Sequence, residues 1–280
     1  MNPLAERLAG QRREIDMLAS TPHTERGTAP RRLEMFAPMG FPMVRPGEPL
    51  LPLILTNLRD NDLTLRAHDI LVVTQKIVSK SENRYVTFDS VEVSAHADSV
   101  AAQCGKDPRM VEMILRESER IVCCARDLLI VRHRLGYVSA NAGIDRSNID
   151  TDKSQMLLLP ENPDHSAAAL REDIRAACGV DIGVLIVDSF GRPWRLGTCG
   201  VCIGSAGIDA VKDYRGQPDL AGHELEVTEI AQADEVAAGA SILMGPSIQR
   251  LPIVVVRSVD FSGNSKAADL IRPTIQDKFL

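Results

Sequence analysis

The stretch Val184-Leu-Ile-Val-Asp-Ser-Phe-Gly-Arg-Pro-Trp-Arg195 decides the fold. Its first four residues are all aliphatic, with no polar residue in alternation, which is how a strand buried on both faces reads. The run ends at Asp188-Ser189, so an acid and a hydroxyl stand at the carboxyl end of a core strand, followed by a glycine and two arginines. Two further runs, Asp69-Ile-Leu-Val-Val73 and Leu251 to Val256, have the same character. Helical patterns lie between them. Asp107-Pro108 provides an N-cap and a first-turn proline ahead of the stripe Val111, Ile114 and Leu115. Asn162-Pro163-Asp164 opens a second helix with Leu170, Ile174, Ala177 and Cys178 on one face and Gly179 to close it. Ala231 to Met244 is an alanine-rich third. Alternating strands and helices predict the α/β class, a mixed sheet with helices, without fixing the connectivity.

The 280 residues are enough for one large domain or two small ones. With 44 % hydrophobic and 25 % charged residues the composition is that of a soluble globular protein, which excludes a disordered tail, a collagen-like repeat and a disulfide mini-protein. The net charge of −6 makes nucleic acid an unlooked-for partner. No apolar run is long enough to span a bilayer, and Arg7, Arg12, Arg13, Glu14 and Asp16 stand where a secretion signal would need an apolar core. Six scattered cysteines read as free thiols and place the chain in the cytoplasm. Cys199-Gly-Val-Cys202 lies in a strand pattern, where residues three apart face opposite ways, and no second pair completes a zinc site.

Residues 2–19 read as an amphipathic helix followed by a polar loop, so residues 1–32 form an appended helical arm, 33–262 the body and 263–280 a polar tail.

Three stretches carry candidate chemistry. Asn141-Ala-Gly-Ile-Asp145-Arg-Ser-Asn148-Ile-Asp150 gathers an acid, an amide and a hydroxyl in a glycine-containing loop after the apolar segment from Tyr137. It reads either as a set of oxygen ligands or as a turn whose side chains bond their own backbone. In Asp188-Ser189, hard oxygens suit magnesium or manganese bridging to phosphate, with Arg192 and Arg195 to neutralise charge; the alternative is a strand-end cap with surface arginines. Thr74-Gln-Lys76-Ile-Val-Ser-Lys80 reads as the continuation of a buried strand, its lysines and hydroxyls available to phosphate or simply solvated. Neither a P-loop nor a G-x-G-x-x-G cradle is present, and neither an i, i+4 histidine pair nor a G-x-S-x-G elbow.

Taken in order, these stretches resemble the coenzyme F-420-0 γ-glutamyl ligases. The resemblance runs through Gly40-Phe-Pro42, Pro46-Gly47-Glu48, Gln75 to Lys80, Lys106-Asp-Pro-Arg109, Asn141 to Asn148, Leu157 to Glu161, Asp188 to Arg195, Asp213-Tyr-Arg-Gly216 and Met244-Gly245. It implies that family's α/β fold and a GTP-dependent ligase using Mg2+ or Mn2+, with a potassium ion as well. Such an enzyme joins L-glutamate to the carboxylate of the deazaflavin precursor through an acyl phosphate, and works as a homodimer. By position it implies Asp145, Asp188 and Ser189 as metal ligands, the two acids being catalytic, with serine where the family usually has threonine. It implies nucleotide contacts at Phe41, Pro42, Met43, Val44, Gln75, Lys76, Lys80 and Asn148. The pattern departs at Pro246, where the family places Gln or Glu as a second-metal ligand; proline offers neither a side-chain oxygen nor a backbone N–H. Two alternatives stay open: an amide ligase of this scaffold acting on another acid, or a homologue that binds nucleotide or deazaflavin without catalysis.

Overall fold

The computed structural model describes residues 32–146, 154–245, 249–259 and 263–277. In chain order, β1 (Glu34–Phe36) leads to α1 (Leu50–Asp60), β2 (Ile70–Thr74), α2 (Gln75–Ser81) and β3 (Tyr85–Thr87). Then come α3 (Ala95–Cys104), α4 (Pro108–Arg116), β4 (Ser118–Ala125), β5 (Leu128–His133), β6 (Val138–Ala140) and β7 (Gln155–Leu157). The chain continues through α5 (Pro163–Cys178), β8 (Gly183–Arg192), β9 (Arg195–Ala206), β10 (Lys212–Asp213), β11 (Glu229–Ile230), α6 (Gln232–Met244) and β12 (Ile253–Arg257).

The fold is α/β with a mixed sheet. Five strands run in the order β1-β12-β2-β8-β9. Only β2 and β8 are parallel, with Thr74 opposite Val187; the other neighbours are antiparallel. The continuous apolar runs are explained by cover on both faces. Leu71, Val73, Val184, Ile186 and Ile253 pack with Leu50, Ile54 and Leu58 of α1 and Leu170 and Ile174 of α5. Ile70, Val72, Leu185, Val187 and Val254 turn the other way, onto Ala233, Val236, Ala237 and Ala240 of α6. A second core lies between α3, α4 and the three-stranded sheet β4-β5-β6, around Val100, Val111, Ile114, Leu129 and Val131.

Helix caps follow the sequence closely. Asp107 accepts from the Arg109 N–H ahead of α4, Asn162 from the His165 N–H ahead of α5, and Gly179 closes α5 at φ 70°. The edge strand β9 is guarded by both flanking helices. Asp164 of α5 accepts from the Ser205 N–H and Asp234 of α6 from the Cys202 N–H, each at 2.8 Å. These contacts occupy donors that an open edge would leave for another strand.

Three sequence expectations are corrected. The strand read as ending at Asp188-Ser189 runs on to Arg192, because β9 turns back to pair with it through Asp188↔Val201 and Gly191↔Thr198. Ser189, Gly191 and Arg192 in that extension are exposed, so polar residues and glycine suit it. The stretch from Thr74 to Lys80 is not a strand beyond Thr74: Gln75–Ser81 is a helix, and short apolar runs do not distinguish the two. The segment from residue 263, expected as a tail, belongs to the body. Residues 33–280 make one unit, Ala267 is fully buried, and the Ala267 N–H donates to Asp164 at 2.9 Å. The helix expected over residues 2–19, with the arm it belongs to (Arg32 apart), lies outside the described residues.

Candidate active site

Beyond Thr74 and Val187, the two parallel strands part, and the crevice outside the carboxyl ends of such strands is the usual ligand position in α/β sheets. From one side comes Asp188, the first residue of β8 past the covered core; from the other comes α2, which begins at Gln75. Asp145 enters from a distant part of the chain. Asn141, Ala142 and Gly143 take φ values of 54°, 54° and 67°, a run of left-handed residues that turns the chain out of β6. Such a conformation costs a non-glycine residue about 1–2 kcal/mol. It is held because Ala142 is buried and Asp145 exchanges backbone hydrogen bonds with Leu157, at 2.9 and 3.0 Å.

Around Asp145 the partners are specific. Gln75 Nε2 donates to Oδ2 at 2.7 Å, and Lys76 Nζ lies 3.5 Å from Oδ1. Gln75 is itself nearly inaccessible, and its Oε1 accepts from Ser79 Oγ at 2.9 Å. Burial pushes the Asp145 carboxyl above the usual range, against the pull of Lys76 and Gln75. Burial pushes Asp188 further, to about 7, and the negative charge of Asp145 adds to it; the Ser189 N–H, donating to Asp188 Oδ1 at 2.8 Å, opposes this. Lys80 is buried in α2 and its ammonium is pushed down, by burial first and then by Lys76. Two carboxylates and two lysines therefore share one electrostatic neighbourhood at the head of β2 and β8.

The other expected positions fall out unevenly. Ser189 is exposed, and what it gives Asp188 is its backbone N–H. Phe41 and Val44 are buried in the core with Ile54 and Val78, while Pro42 and Met43 are exposed. The Gly47 N–H donates to the Lys80 carbonyl at 3.0 Å, tying the loop after them to α2. Gln75 uses both ends of its amide within the protein, which directs it to Asp145 instead of outward. Asn148 and Pro246 lie outside the described residues. The pairing of Ser79 with Gln75 was not legible in the sequence, because a spacing of four residues means something only once the stretch is a helix. Among the described residues all six cysteines are free, and no group of three or more His, Cys, Asp or Glu gathers.

A mixed sheet covered by helices on both faces, with an acid pair and lysines where its two parallel strands end, defines an α/β scaffold with a charged crevice at the usual ligand position. The pattern of the family described as F420-0:Gamma-glutamyl ligase matches residues 39–258, and the chain belongs to that family. It is 41 % identical over 241 residues to the coenzyme F420:L-glutamate ligase of Methanopyrus kandleri, covering 84 % of this chain and 93 % of that one. The protein of the same name from Methanocaldococcus jannaschii is 41 % identical over 212 residues, covering 75 % and 84 %. That from Archaeoglobus fulgidus is 38 % identical over 246 residues, covering 88 % and 96 %.

Proposed function

We propose that this chain is a ligase of coenzyme F420 synthesis, forming an amide between L-glutamate and the carboxylate of the deazaflavin precursor at the expense of GTP. The observation that carries the proposal is the meeting of Asp145 and Asp188 beside Lys76, in a chain whose relatives are named for that ligation. A carboxylate and an amine do not condense at neutral pH. In the proposed reaction a carboxylate oxygen attacks the γ-phosphorus of GTP, and GDP leaves. The acyl phosphate formed is then attacked at carbon by the glutamate amine, expelling phosphate and releasing a proton.

The residues present fit a hard divalent cation. Two acids share one neighbourhood there, and burial and the charge of Asp145 raise Asp188 to about 7, outweighing the pull of the Ser189 N–H and Lys76; a cation would relieve that cost. Asp145 and Asp188 would hold Mg2+ or Mn2+, which supplies charge neutralisation for the phosphate oxygens. Lys76 and Lys80 provide further positive charge where phosphate would lie, and the exposed Pro42 and Met43 offer contact to the nucleotide. Positioning and electrostatics do most of the work in such a transfer.

The exposed Trp194 and Leu196, 83 % and 99 % accessible at the β8–β9 turn, support a homodimer in which that turn is covered. Light scattering on the purified chain tests it: a monomer at micromolar concentration ends that part of the reading.

Incubation with deazaflavin precursor, glutamate, GTP and Mn2+, read by mass spectrometry, tests the reaction. The expected product carries one or more added glutamates, with multiple turnovers of GTP to GDP only when both other substrates are present. Pro246, standing where the family has an oxygen ligand, favours a second reading in which another acid is the acceptor. GDP release with a different acid and not with the deazaflavin would select it.

A further inference from the structure

Ser79 is a fully buried hydroxyl that the proposed reaction does not use directly. It stands one turn after Gln75 in α2. Serines inside helices usually turn outward or bond back to the carbonyl four residues earlier. Here Oγ instead donates to the Gln75 side-chain oxygen at 2.9 Å. A primary amide has one accepting and one donating end, and half a turn about its last bond exchanges them. Gln75 is 3 % exposed, so bulk water does not set that choice. With Ser79 donating to Oε1, the amide must present Nε2 to Asp145, and it does so at 2.7 Å.

We infer that Ser79 is a positioning residue for the Asp145–Asp188 cation site, acting through Gln75 to fix one Asp145 oxygen and leave the other free for Lys76 and the cation. The inference rests on the reading of Asp145 as a metal ligand. Without the hydroxyl, Gln75 Oε1 is a buried acceptor with no partner, and nothing opposes rotation of the amide away from Asp145. Partners behind a ligating carboxylate typically contribute about 10–100-fold to metal affinity, and Ser79 acts one bond further out, so about tenfold is expected.

The test is binding of Mn2+ alone to the full chain, followed by electron paramagnetic resonance of the free ion, with thermal melting of each variant alongside. Ser79→Ala should raise the Mn2+ Kd about tenfold. Ser79→Cys, close in volume and a weak donor, should lie between it and the wild type. Combining Ser79→Ala with Gln75→Ala should weaken binding no further than Gln75→Ala alone, because the serine acts through the glutamine. A purely structural serine predicts a lower Tm in Ser79→Ala with Mn2+ affinity unchanged, and that result overturns the inference. If Ser79→Ala does not fold, Ser79→Cys decides: wild-type affinity overturns, weaker affinity supports. Asp188→Asn is the separate control. Should it bind Mn2+ as well as the wild type, the cation site itself is misplaced, and the role given to Ser79 falls with it; loss there with no change at Ser79 refutes Ser79 alone.

Discussion

The Lys76 ammonium lies 3.5 Å from Asp145 Oδ1, with the two side chains 27 % and 26 % exposed. Its positive charge acts on Asp188 as well, pulling that carboxyl's pKa down. One lysine thus faces two acids, and in the proposed reaction it also faces phosphate. Lys76→Met should lower kcat about 10²-fold, the scale of losing one charged contact to a developing oxyanion. A change confined to KM for GTP would make Lys76 a binding residue only.

Asp145 and Asp188 come from separate elements, yet the charge of Asp145 raises the pKa of Asp188. If both hold one cation, Asp145→Asn and Asp188→Asn should each abolish turnover, and the double variant should be no worse than the poorer single one. Steady-state rates with GTP and Mn2+ decide this. Losses that multiply would assign the two acids to different steps.

The architecture was legible where a residue's pattern had one meaning. Val184 to Val187 and Ile70 to Val73 read correctly as doubly covered strands, and Asn162-Pro163 with Gly179 correctly bracket a helix. The site was half legible. Asp145 and Asp188 stand out as acids beside core strands, but their meeting depends on the left-handed turn at Asn141–Gly143 and on the parallel pairing of β2 with β8, neither of which leaves a periodic trace. Gln75 to Lys80 misled because Ile77 and Val78 extend an apolar run; only the fold shows that Gln75 and Ser79 share a helix face.

Helix packing on β9 depends on two glycines. A Cβ at Gly204 would lie 2.4 Å from the Pro163 carbonyl oxygen, and one at Gly200 2.5 Å from that of Ala237. Both obstacles are backbone at points where α5 and α6 rest on the strand, so neither can swing aside. Gly204→Ala and Gly200→Ala should each destabilise by about 1–3 kcal/mol or more, as overpacking does. Gly191→Ala, with open space around it on the same hairpin, should change urea midpoints little. Equal midpoints for all three would mean that the helices sit further from β9 than described.

The raised pKa of Asp188 has a consequence for stability that needs no substrate. Its folded value, about 7, lies above the ordinary 3.8 because burial and the charge of Asp145 disfavour ionisation. Between those two values the folded chain keeps a proton that the unfolded chain has released. Stability from this group therefore falls as pH rises from about 4 to about 7 and is flat beyond. Glu112 works the other way. Hydrogen bonds from the Ser94 hydroxyl and N–H, and then Arg116, hold it at about 2, so its contribution is present above 4.5 and is lost as pH falls toward 2. Without divalent cations, the metal-free wild type should thus melt highest in mildly acid buffer. Asp188→Asn removes the first slope and keeps the second. Its Tm should match the wild type near pH 4 and exceed it increasingly up to about pH 7, by several degrees, with the gap constant above that. Added Mn2+ should close the gap at pH 8, since a cation between Asp145 and Asp188 stabilises only the chain that retains both charges. A Tm difference that stays constant from pH 5 to 8, with and without Mn2+, would show that Asp188 ionises normally and that the acid pair does not share a cation.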